Sequence, residues 1–490
     1  MKLAMTLAVL CAAALSLGQT KATDSTVTTP MTVRPSIVGS GFASVQPIKF
    51  YGWNITYTAA YPASADVADA TVKAICSQIA VPGLTPMIRL HHVDKLAKVS
   101  GWGPIKWILD SAKKYGAVVI LTLSSEDTGP FGDINYYKAQ VIAGTGSDGT
   151  LARQDVVSRL SALFKAVGDH PALLAVEPLN EETVGDLTVF QAYQTWAKGA
   201  IKAAGFSCYP IFANSGISGA QAAILPGMPL VSLHGYGDDA REPDPLQKGY
   251  DTDWATQPWQ WNDSFTIGTN LPRCYLEVGS LYPNPLRLKN EIGLACQAKA
   301  TGASALCWFL WASNADMTAS GPFLDRYCTK EPLRAVAEHL GQFIYADPSA
   351  IQMNTVGTEC TYVTDQVQFR TKGDLWGENL LTCIVSADGQ PIATSSHLFL
   401  TGGGTAFPTG QVTTPLQADG KYFSITGGAL PWITAGGGPV KFANVGKSLK
   451  AFYFDPITRK QTGPALIQQV TPGNWVVWTA GGLEVEVIAS

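Results

Sequence analysis

The chain has 490 residues, of which 46% are hydrophobic and only 15% are charged, and its formal net charge is −4. So few charges, with no basic run, argue against nucleic acid as a partner, and the length allows more than one folded domain. Aromatic residues make up 10% of the chain and include 13 Trp. Aromatic faces are common platforms for sugar rings, although most such side chains pack in cores.

Residues 1–20 have the pattern of a secretory signal peptide, because Lys2 precedes an apolar stretch at 3–17 that ends in small residues. This stretch is shorter than the ~20 residues that span a bilayer, and no later stretch is longer, so we predict no membrane span. We predict secretion, to the extracellular space or the periplasm. Removal of the signal peptide would take away Cys11 and leave eight of the nine cysteines, too few in so long a chain for a disulfide scaffold. They form no Cys-x-x-Cys pair, so a zinc site is not indicated.

Residues 21–345 alternate strand-like and helix-like segments. The strand-like segments are 48–55, 85–90, 117–123, 173–182, 209–213, 230–234, 274–278 and 303–311. The helix-like segments are 66–80, 103–115, 152–167, 187–204, 286–300 and 331–340. Eight strands in this rhythm predict an α/β fold, a (β/α)8 barrel.

Residues 346–490 have a different texture, in which short strand-like runs alternate with glycine-rich turns such as 402–404 and 436–438. Helical periodicity is absent from this part of the chain. We therefore predict a second, all-β domain of the sandwich type that packs closely on the barrel.

Polar and aromatic side chains follow the predicted barrel strands, at the carboxyl edge where α/β barrels hold their active sites. In strand order they are Asn54; Arg89, His91 and His92; Ser124, Ser125, Glu126 and Asp127; Asn180 and Glu181; His234 and Tyr236; Glu277; and Trp311.

Two of these side chains suggest a reaction. Glu181 and Glu277 are 96 residues apart (277 − 181), yet strands four and seven would bring them face to face. Cleavage of a glycosidic bond requires two opposed carboxyl groups, one that donates a proton and one that is ionised. Arg89 beside Glu277 would keep that carboxylate ionised, so we predict Glu181 as the acid and Glu277 as the nucleophile.

The other side chains at this edge suit contacts with a sugar. Asn180 could hydrogen-bond a 2-hydroxyl group, Tyr236 could orient the nucleophile, and Trp311 could form the floor of the site. The remaining candidate substrate-binding residues are Asn54, Arg89, His91 and His234.

The segment 238–270 carries three Trp residues, at 254, 259 and 261. Segments of this length inside a compact barrel are usually functional. We predict that Trp254 lines a sugar subsite; packing that only fastens the loop is an equal alternative.

Short motifs at the strand ends resemble those of clan A glycoside hydrolases, most closely family five. Glu177-x-x-Asn180-Glu181 resembles the acid/base motif, and Glu277-Val278-Gly279 resembles the nucleophile motif. Further resemblances are His234-Gly235-Tyr236 on strand six, Trp308-x-x-Trp311 on strand eight and Arg89 on strand two. The resemblance implies a retaining hydrolase of β-linked glycans, of the β-glucan or β-mannan type, that acts by double displacement without a cofactor or metal.

The sequence departs from the family pattern at two places. Glu182 follows the acid/base residue where the pattern usually has Pro, and Ser124-Ser125 stand where family five commonly has a His. His91 or His92 could fill that space.

Two alternatives stay open. One is a carbohydrate-binding barrel without catalysis, and the other is a metal-dependent barrel hydrolase that uses His91, His92 and His234 as ligands. In the preferred interpretation the partner is an oligo- or polysaccharide, and the oligomeric state is not predicted.

Overall fold

The structure is a computed structural model of the chain. It describes residues 30–38, 41–43, 47–55, 62–91, 93–124, 128–182, 186–214, 230–236, 272–279, 287–309, 311, 332–349, 354–356, 359–372, 379–405, 439–443, 445–479 and 483–490. The predicted signal peptide lies outside these residues.

Parallel strands close into a barrel in the first part of the chain, after the N-terminal hairpin of β1 and β2. The strands are β1 (Ser36–Val38), β2 (Gly41–Ala43), β3 (Pro47–Ile55), β4 (Leu84–Leu90), β5 (Val118–Thr122), β6 (Leu173–Glu177), β7 (Tyr209–Pro210), β8 (Ala213–Asn214), β9 (Val231–Tyr236), β10 (Arg273–Gly279) and β11 (Ala305–Trp308). The ring runs from β3 through β6 to β7, and from β8 through β10 to β11, which pairs with β3. Since β7 and β8 share the fifth position, the predicted (β/α)8 barrel is confirmed.

Helices cover the outside of the barrel. They are α1 (Ala65–Ser77), α2 (Val93–Ser100), α3 (Gly103–Tyr115), α4 (Ile134–Ala143), α5 (Gly146–Val167), α6 (Leu187–Ala203), α7 (Arg287–Ala300) and α8 (Pro332–Ala346). The start of α6 is fixed by Asp186, whose carboxylate accepts hydrogen bonds from the backbone N–H groups of Thr188 and Val189. Among the described helices, none combines the length and the apolar character needed to cross a membrane.

Two buried clusters explain why the strands read as apolar runs. One fills the barrel interior with side chains such as Phe50, Ile120 and Leu276. The other lies between the outer face of the strands and the helices. The strands are therefore buried on both faces, as parallel strands usually are.

The β domain consists of two antiparallel sheets. Its strands are β12 (Asn354–Val356), β13 (Glu359–Val363), β14 (Val367–Lys372), β15 (Asn379–Ser386), β16 (His397–Thr405), β17 (Pro439–Phe442), β18 (Leu449–Asp455), β19 (Lys460–Pro464), β20 (Leu466–Thr471), β21 (Asn474–Trp478) and β22 (Glu484–Ala489). The larger sheet has the order β12-β13-β14-β15-β16-β22-β18-β19, and the smaller has the order β17-β21-β20. Leu400 and Val485 of the larger sheet share a buried cluster with Val440 and Val477 of the smaller, which is the packing of a sandwich.

The β domain contacts the barrel through α8. The His339 Nδ1 atom pairs with the buried Glu484 carboxylate, and the imidazole stacks on the Phe454 ring with centroids 5.2 Å apart. At the same interface Arg459 Nη1 donates to the backbone carbonyl of Ser77, at the end of α1, over 2.7 Å. The domain therefore packs directly on two barrel helices.

A buried ionic cluster joins α7 to α8. Arg334 Nε donates to Glu338 Oε1 over 3.0 Å and lies 3.5 Å from Glu291 Oε1. Burial is the largest influence on Glu338 and raises the pKa of its carboxyl from 4.5 to about 7. The Glu338 carboxyl therefore titrates near neutral pH in the folded protein.

Glu338→Gln should make stability less dependent on pH. Between pH 4.5 and about 7 the folded state holds a proton on Glu338 that the unfolded state has released, so wild-type stability falls as the pH rises through this window. The shift corresponds to a difference of about 3 kcal/mol at most. Urea unfolding of both proteins from pH 4 to 8 should show that the free energy of unfolding of the variant rises relative to that of wild type as the pH increases to about 7. A difference that does not vary with pH would contradict this account.

Candidate active site

The Arg89 guanidinium on β4 ties together side chains from three other barrel strands or their ends. Arg89 is fully buried; its Nη1 atom donates to Glu277 Oε2 over 2.8 Å and its Nη2 atom donates to Glu177 Oε2 over 2.5 Å. Nη1 also donates to Asn54 Oδ1 (3.0 Å), and Nη2 donates to Asn180 Oδ1 (2.8 Å). The two carboxylates raise the pKa of Arg89 even though burial alone would lower it.

Glu277 on β10 lies among three basic side chains. Its Oε2 atom is 2.8 Å from Arg89 Nη1, 3.2 Å from His91 Nε2 and 3.4 Å from His234 Nδ1. Burial favours the protonated form, but the charges of His234, His91 and Arg89 outweigh it and hold the pKa of Glu277 well below its usual value. Glu277 is therefore an ionised carboxylate in a nearly closed environment.

Glu181 contacts the same ring nitrogen of His234 as Glu277 does. Its Oε1 atom is 3.2 Å from His234 Nδ1, and its side chain is 36% exposed, against 8% for Glu277. One carboxylate oxygen of Glu181, one of Glu277 and a ring nitrogen of His234 all lie within 4.8 Å of one another. The structure thus brings the two predicted glutamates together across the barrel mouth.

The chain bends sharply between β6 and Glu181. The sequence predicted a strand over 173–182, but β6 ends at Glu177, and the backbone N–H of Asn180 donates to the Ser124 carbonyl over 2.9 Å. The backbone φ angle at Glu181 is 50°, which is a left-handed conformation that is uncommon outside glycine. The acid/base candidate is therefore presented by a bend after the strand, not by the strand itself.

Asn54 and His91 both contact the Arg89 guanidinium. Asn54 is fully buried, and its Nδ2 atom donates to the backbone carbonyls of Leu276 (2.9 Å) and Trp308 (3.1 Å). The His91 Nε2 atom contacts Asn54 Oδ1 over 2.9 Å and also lies against Arg89. Their contacts with protein atoms suit holding Arg89 and Glu277 in place.

The aromatic residues of strand eight have separate positions. Trp308 is buried and donates from Nε1 to the Tyr51 hydroxyl over 2.6 Å. Trp311 is half-buried, packs edge-to-face on Trp53 with centroids 5.3 Å apart, and donates from its backbone N–H to the Asn54 carbonyl over 2.8 Å. Trp311 is thus the more accessible of the two rings.

Some predicted site side chains fall outside what the structure describes. The backbone of Tyr236 pairs with Gly279, but its side chain is not among those described. His92, Ser125, Glu126, Asp127 and Trp254 also lie outside the described residues.

Two buried glutamates have places that sequence reasoning did not assign. Glu177 accepts a hydrogen bond from Thr122 Oγ1 (2.5 Å) in addition to that from Arg89. Glu182 is fully buried and accepts a hydrogen bond from the Tyr193 hydroxyl over 3.1 Å. An acidic residue within a strand that is buried on both faces was the signal for Glu177, since such a charge needs a buried partner.

Glu181, His234 and Glu277 form the one trio of His, Cys, Asp or Glu side chains, among the described residues, that is close enough to bind a metal ion. Arg89 already lies 2.8 Å from the Glu277 carboxylate. A second cation at the same carboxylate would be repelled by the guanidinium. The arrangement therefore suits proton transfer and nucleophilic attack better than metal binding.

No protein-family model matches the chain, and no curated protein matches it. Among solved structures it is similar to a GH30 endoxylanase from Clostridium papyrosolvens C71, with 13% identity and a TM-score of 0.41 over 91% of this chain and 97% of that one. It is also similar to a family 5 mannosidase from Rhizomucor miehei, with 13% identity and a TM-score of 0.42 over 58% of this chain and 86% of that one. A third is a family 39 glycoside hydrolase from Bacteroides cellulosilyticus WH2, with 11% identity and a TM-score of 0.43 over 90% and 80% of the two chains.

All three are glycoside hydrolases by name. This is the class that the strand-end motifs resemble. The similarity is distant, so the function of this chain has to be argued from the geometry of its own strand-end residues.

Arg89→Ala should lower both stability and turnover. The substitution leaves Glu177 and Glu277 buried without their shared cation, which typically costs about 3–5 kcal/mol. It also removes a charge that holds the pKa of Glu277 down. The acid limb of the pH–activity profile should therefore move to higher pH, measured per folded molecule, and Arg89→Lys offers a milder variant if the alanine variant does not fold.

Arg159→Ala is the matched control for Arg89→Ala. Arg159 pairs with Asp155 over 2.7 Å and with Asp94 over 3.3 Å on the outside of the barrel. This control should lose stability while it keeps turnover per folded molecule and the wild-type acid limb. The same unchanged profile in Arg89→Ala would show that Arg89 serves folding alone.

Proposed function

We propose that this protein is a retaining glycoside hydrolase that cleaves β-linked glycans of the β-glucan or β-mannan type. The observation that carries the proposal is the approach of Glu181 and Glu277, whose carboxylate oxygens lie within 4.8 Å of each other. Only one of the two, Glu277, is in contact with Arg89 and His91 as well as His234. The pair is thus close and chemically unequal, as double displacement requires.

The spacing favours retention of configuration. Inverting enzymes keep their carboxyl groups about 6.5–9.5 Å apart to admit a water molecule, whereas retaining enzymes keep them about 5–5.5 Å apart. An oxygen–oxygen approach within 4.8 Å fits the shorter class, in which the second carboxylate itself attacks the anomeric carbon.

The reaction then has two steps. In the first, Glu277 attacks the anomeric carbon, the bond to the leaving oxygen breaks, and Glu181 gives that oxygen a proton. In the second, Glu181 takes a proton from water, the water oxygen attacks the anomeric carbon, and Glu277 leaves as a carboxylate. Both glutamates regain their starting protonation states, so no cofactor is needed.

The surrounding side chains bind the sugar in this scheme. Asn180 is held by Arg89 at its Oδ1 atom, so its Nδ2 group serves the 2-hydroxyl. His234 Nδ1 lies within 3.4 Å of both carboxylates. The Trp311 ring instead packs on Trp53 and lines a cavity with Gln78, His339 and Pro456, so the floor of the site is not assigned to it. The proposal further assigns the orientation of Glu277 to Tyr236 and a sugar subsite to Trp254; the Tyr236 side chain and Trp254 lie outside the described residues.

The proposal includes secretion, with residues 1–20 as the signal peptide, 21–345 as the catalytic barrel and 346–490 as its supporting β domain. The seven cysteines that the structure describes are all buried. Burial raises the pKa of the Cys76 and Cys208 thiols to about 12. Such thiols react slowly with oxidants because the reactive form is the thiolate, so buried thiols at positions 76 and 208 are compatible with an oxidising compartment.

Hydrolysis of a β-glycoside should release the β-anomer first. Double displacement inverts the anomeric centre twice, so the configuration is retained. A screen of β-glucans, β-mannans and aryl β-glycosides would identify a substrate, and proton NMR of the first minutes of reaction would show the anomer. The α-anomer appearing first would exclude the retaining mechanism, and binding without release of reducing sugar would favour a carbohydrate-binding barrel. Activity that is lost with a chelator and restored by a metal would favour the metal-dependent alternative.

Glu181→Ala and Glu277→Ala should differ in their dependence on the leaving group. A general acid typically contributes about 10²–10⁴-fold, and only where the leaving group needs a proton. Glu181→Ala should therefore lose most of its activity on polysaccharide but largely keep glycosylation by an activated aryl glycoside, with azide rescuing the slow second step. Glu277→Ala should be poor on both substrates, because it lacks the nucleophile.

Glu486→Ala serves as the control for these variants. Glu486 pairs with His397 in the β domain, so its loss should leave the ratio of the two activities unchanged. Equal losses on both substrates in Glu181→Ala would contradict its assignment as the acid.

A further inference from the structure

Glu182 is the buried residue next to the acid/base candidate. Its side chain is fully buried, and its Oε1 atom accepts a hydrogen bond from the Tyr193 hydroxyl over 3.1 Å. Tyr193 lies within α6, is itself fully buried, and packs edge-to-face against Phe212 with centroids 5.6 Å apart. The backbone just after Glu181 is therefore anchored to a helix by a side chain that a proline at this position could not supply.

The residue on the other side of Glu181 is anchored as well. Asn180 donates its backbone N–H to the Ser124 carbonyl over 2.9 Å, and its side chain accepts from Arg89 over 2.8 Å. Between the two anchors, Glu181 has a φ angle of 50°. A non-glycine residue keeps such a conformation only when the surrounding structure holds it there.

Burial favours the neutral form of Glu182, which suits a side chain that anchors the backbone. Burial is the main influence, and together with the nearby Glu177 charge it raises the pKa of Glu182 well above its usual value, against a small opposing effect of Lys138. A protonated Glu182 is neutral. It can hold the chain without placing another negative charge beside Glu177 and Arg89.

We propose that Glu182, through its hydrogen bond with Tyr193, is a positioning residue that holds Glu181 in its left-handed backbone conformation and so keeps the acid/base carboxyl within reach of His234 and Glu277. The inference rests on the proposed function, because it assigns the structural support of the proton donor. It also explains why this chain tolerates the loss of the proline that the related motif usually has.

Three variants test the proposal. Glu182→Ala removes the anchor, Tyr193→Phe removes only the hydroxyl while it keeps the ring packing, and Glu182→Gln keeps a neutral group that can accept the same hydrogen bond. Glu182→Ala should lose about 10- to 100-fold on polysaccharide, less than Glu181→Ala, because strain of this kind corresponds to such factors. Its loss on an activated aryl glycoside should be much smaller, and Tyr193→Phe should shift activity in the same direction.

Glu182→Gln should rescue both the activity and its pH profile. The basic limb of kcat/KM, which reports the proton donor of the free enzyme, should move in Glu182→Ala and stay in place in Glu182→Gln. If Glu182 had a purely structural role, its loss would reduce the activity on both substrates equally and leave the basic limb of the kcat/KM profile unchanged. That result, per folded molecule, would overturn the proposal.

Tyr362→Phe is the matched control, since the Tyr362 hydroxyl contacts the Asp347 carboxylate over 3.5 Å at a buried position in the β domain. It should change stability without changing the ratio of the two activities. Tyr193→Phe carries the kinetic test if Glu182→Ala does not fold.

Crystal structures of wild type and the folded anchor variant give a readout independent of activity. Loss of the anchor should return the Glu181 φ angle to negative values and break the contact with His234. An unchanged φ angle and contact would overturn the proposal even if the wild-type protein hydrolyses no glycoside, in which case the proposed function fails separately.

Discussion

The site depends on one buried ion triad, Arg89 between Glu177 and Glu277. Removing three charges from water is costly, and the triad persists because each of the two Nη atoms of the guanidinium has a carboxylate partner at 2.5–2.8 Å and a second, amide partner at 2.8–3.0 Å. These partners come from different strands. The triad therefore fixes the relative positions of the strand ends. Glu277 is part of it, and Glu181 follows Asn180, which Arg89 also contacts.

Strand geometry explains how residues so distant in sequence meet. Glu277 on β10 pairs in register with His234 on β9, and Asn54 on β3 pairs with Arg89 on β4. Each pair is set by backbone hydrogen bonds within the ring. The guanidinium and the histidine then join the two pairs across the barrel, so the closed sheet is itself part of the active-site geometry.

The sequence predicted the barrel because its strands are apolar runs bounded by turns. The polar groups that end those runs include Arg89, Glu181, His234 and Glu277, which the structure brings together. The sequence missed what depends on tertiary contacts. The fifth strand is split at Tyr209–Pro210 and Ala213–Asn214. Pro210, which cannot donate a backbone hydrogen bond to a neighbouring strand, marks the interruption in the sequence, but the prediction continued the strand through it. The prediction also extended β6 too far, because residues 178–182 are Pro-Leu-Asn-Glu-Glu and the strand ends at Glu177. The bend that follows depends on contacts with Ser124 and Tyr193, which the sequence does not show.

The same limit applies to the roles of the glutamates. Four of them lie on or near the barrel mouth: Glu177, Glu181, Glu182 and Glu277. The sequence distinguishes these glutamates only by the residues next to them. Their charge states depend on which of them contact Arg89 in the folded protein. Glu177 and Glu277 share Arg89, and Glu181 faces solvent and His234.

Charge balance then explains why the fourth glutamate can be buried so close to the other three. Arg89 already has two carboxylate partners, Glu177 and Glu277, and Glu182 is in contact with Tyr193 instead. If Glu182 were ionised, the Tyr193 hydroxyl would be its one side-chain hydrogen-bond donor among the described residues. One such donor is insufficient for a buried carboxylate. Protonation removes that cost, and the neutral side chain still accepts the hydrogen bond that anchors the bend. The acid/base group can therefore be held in place by a neighbouring residue of its own type, because burial raises the pKa of Glu182 and favours its neutral form.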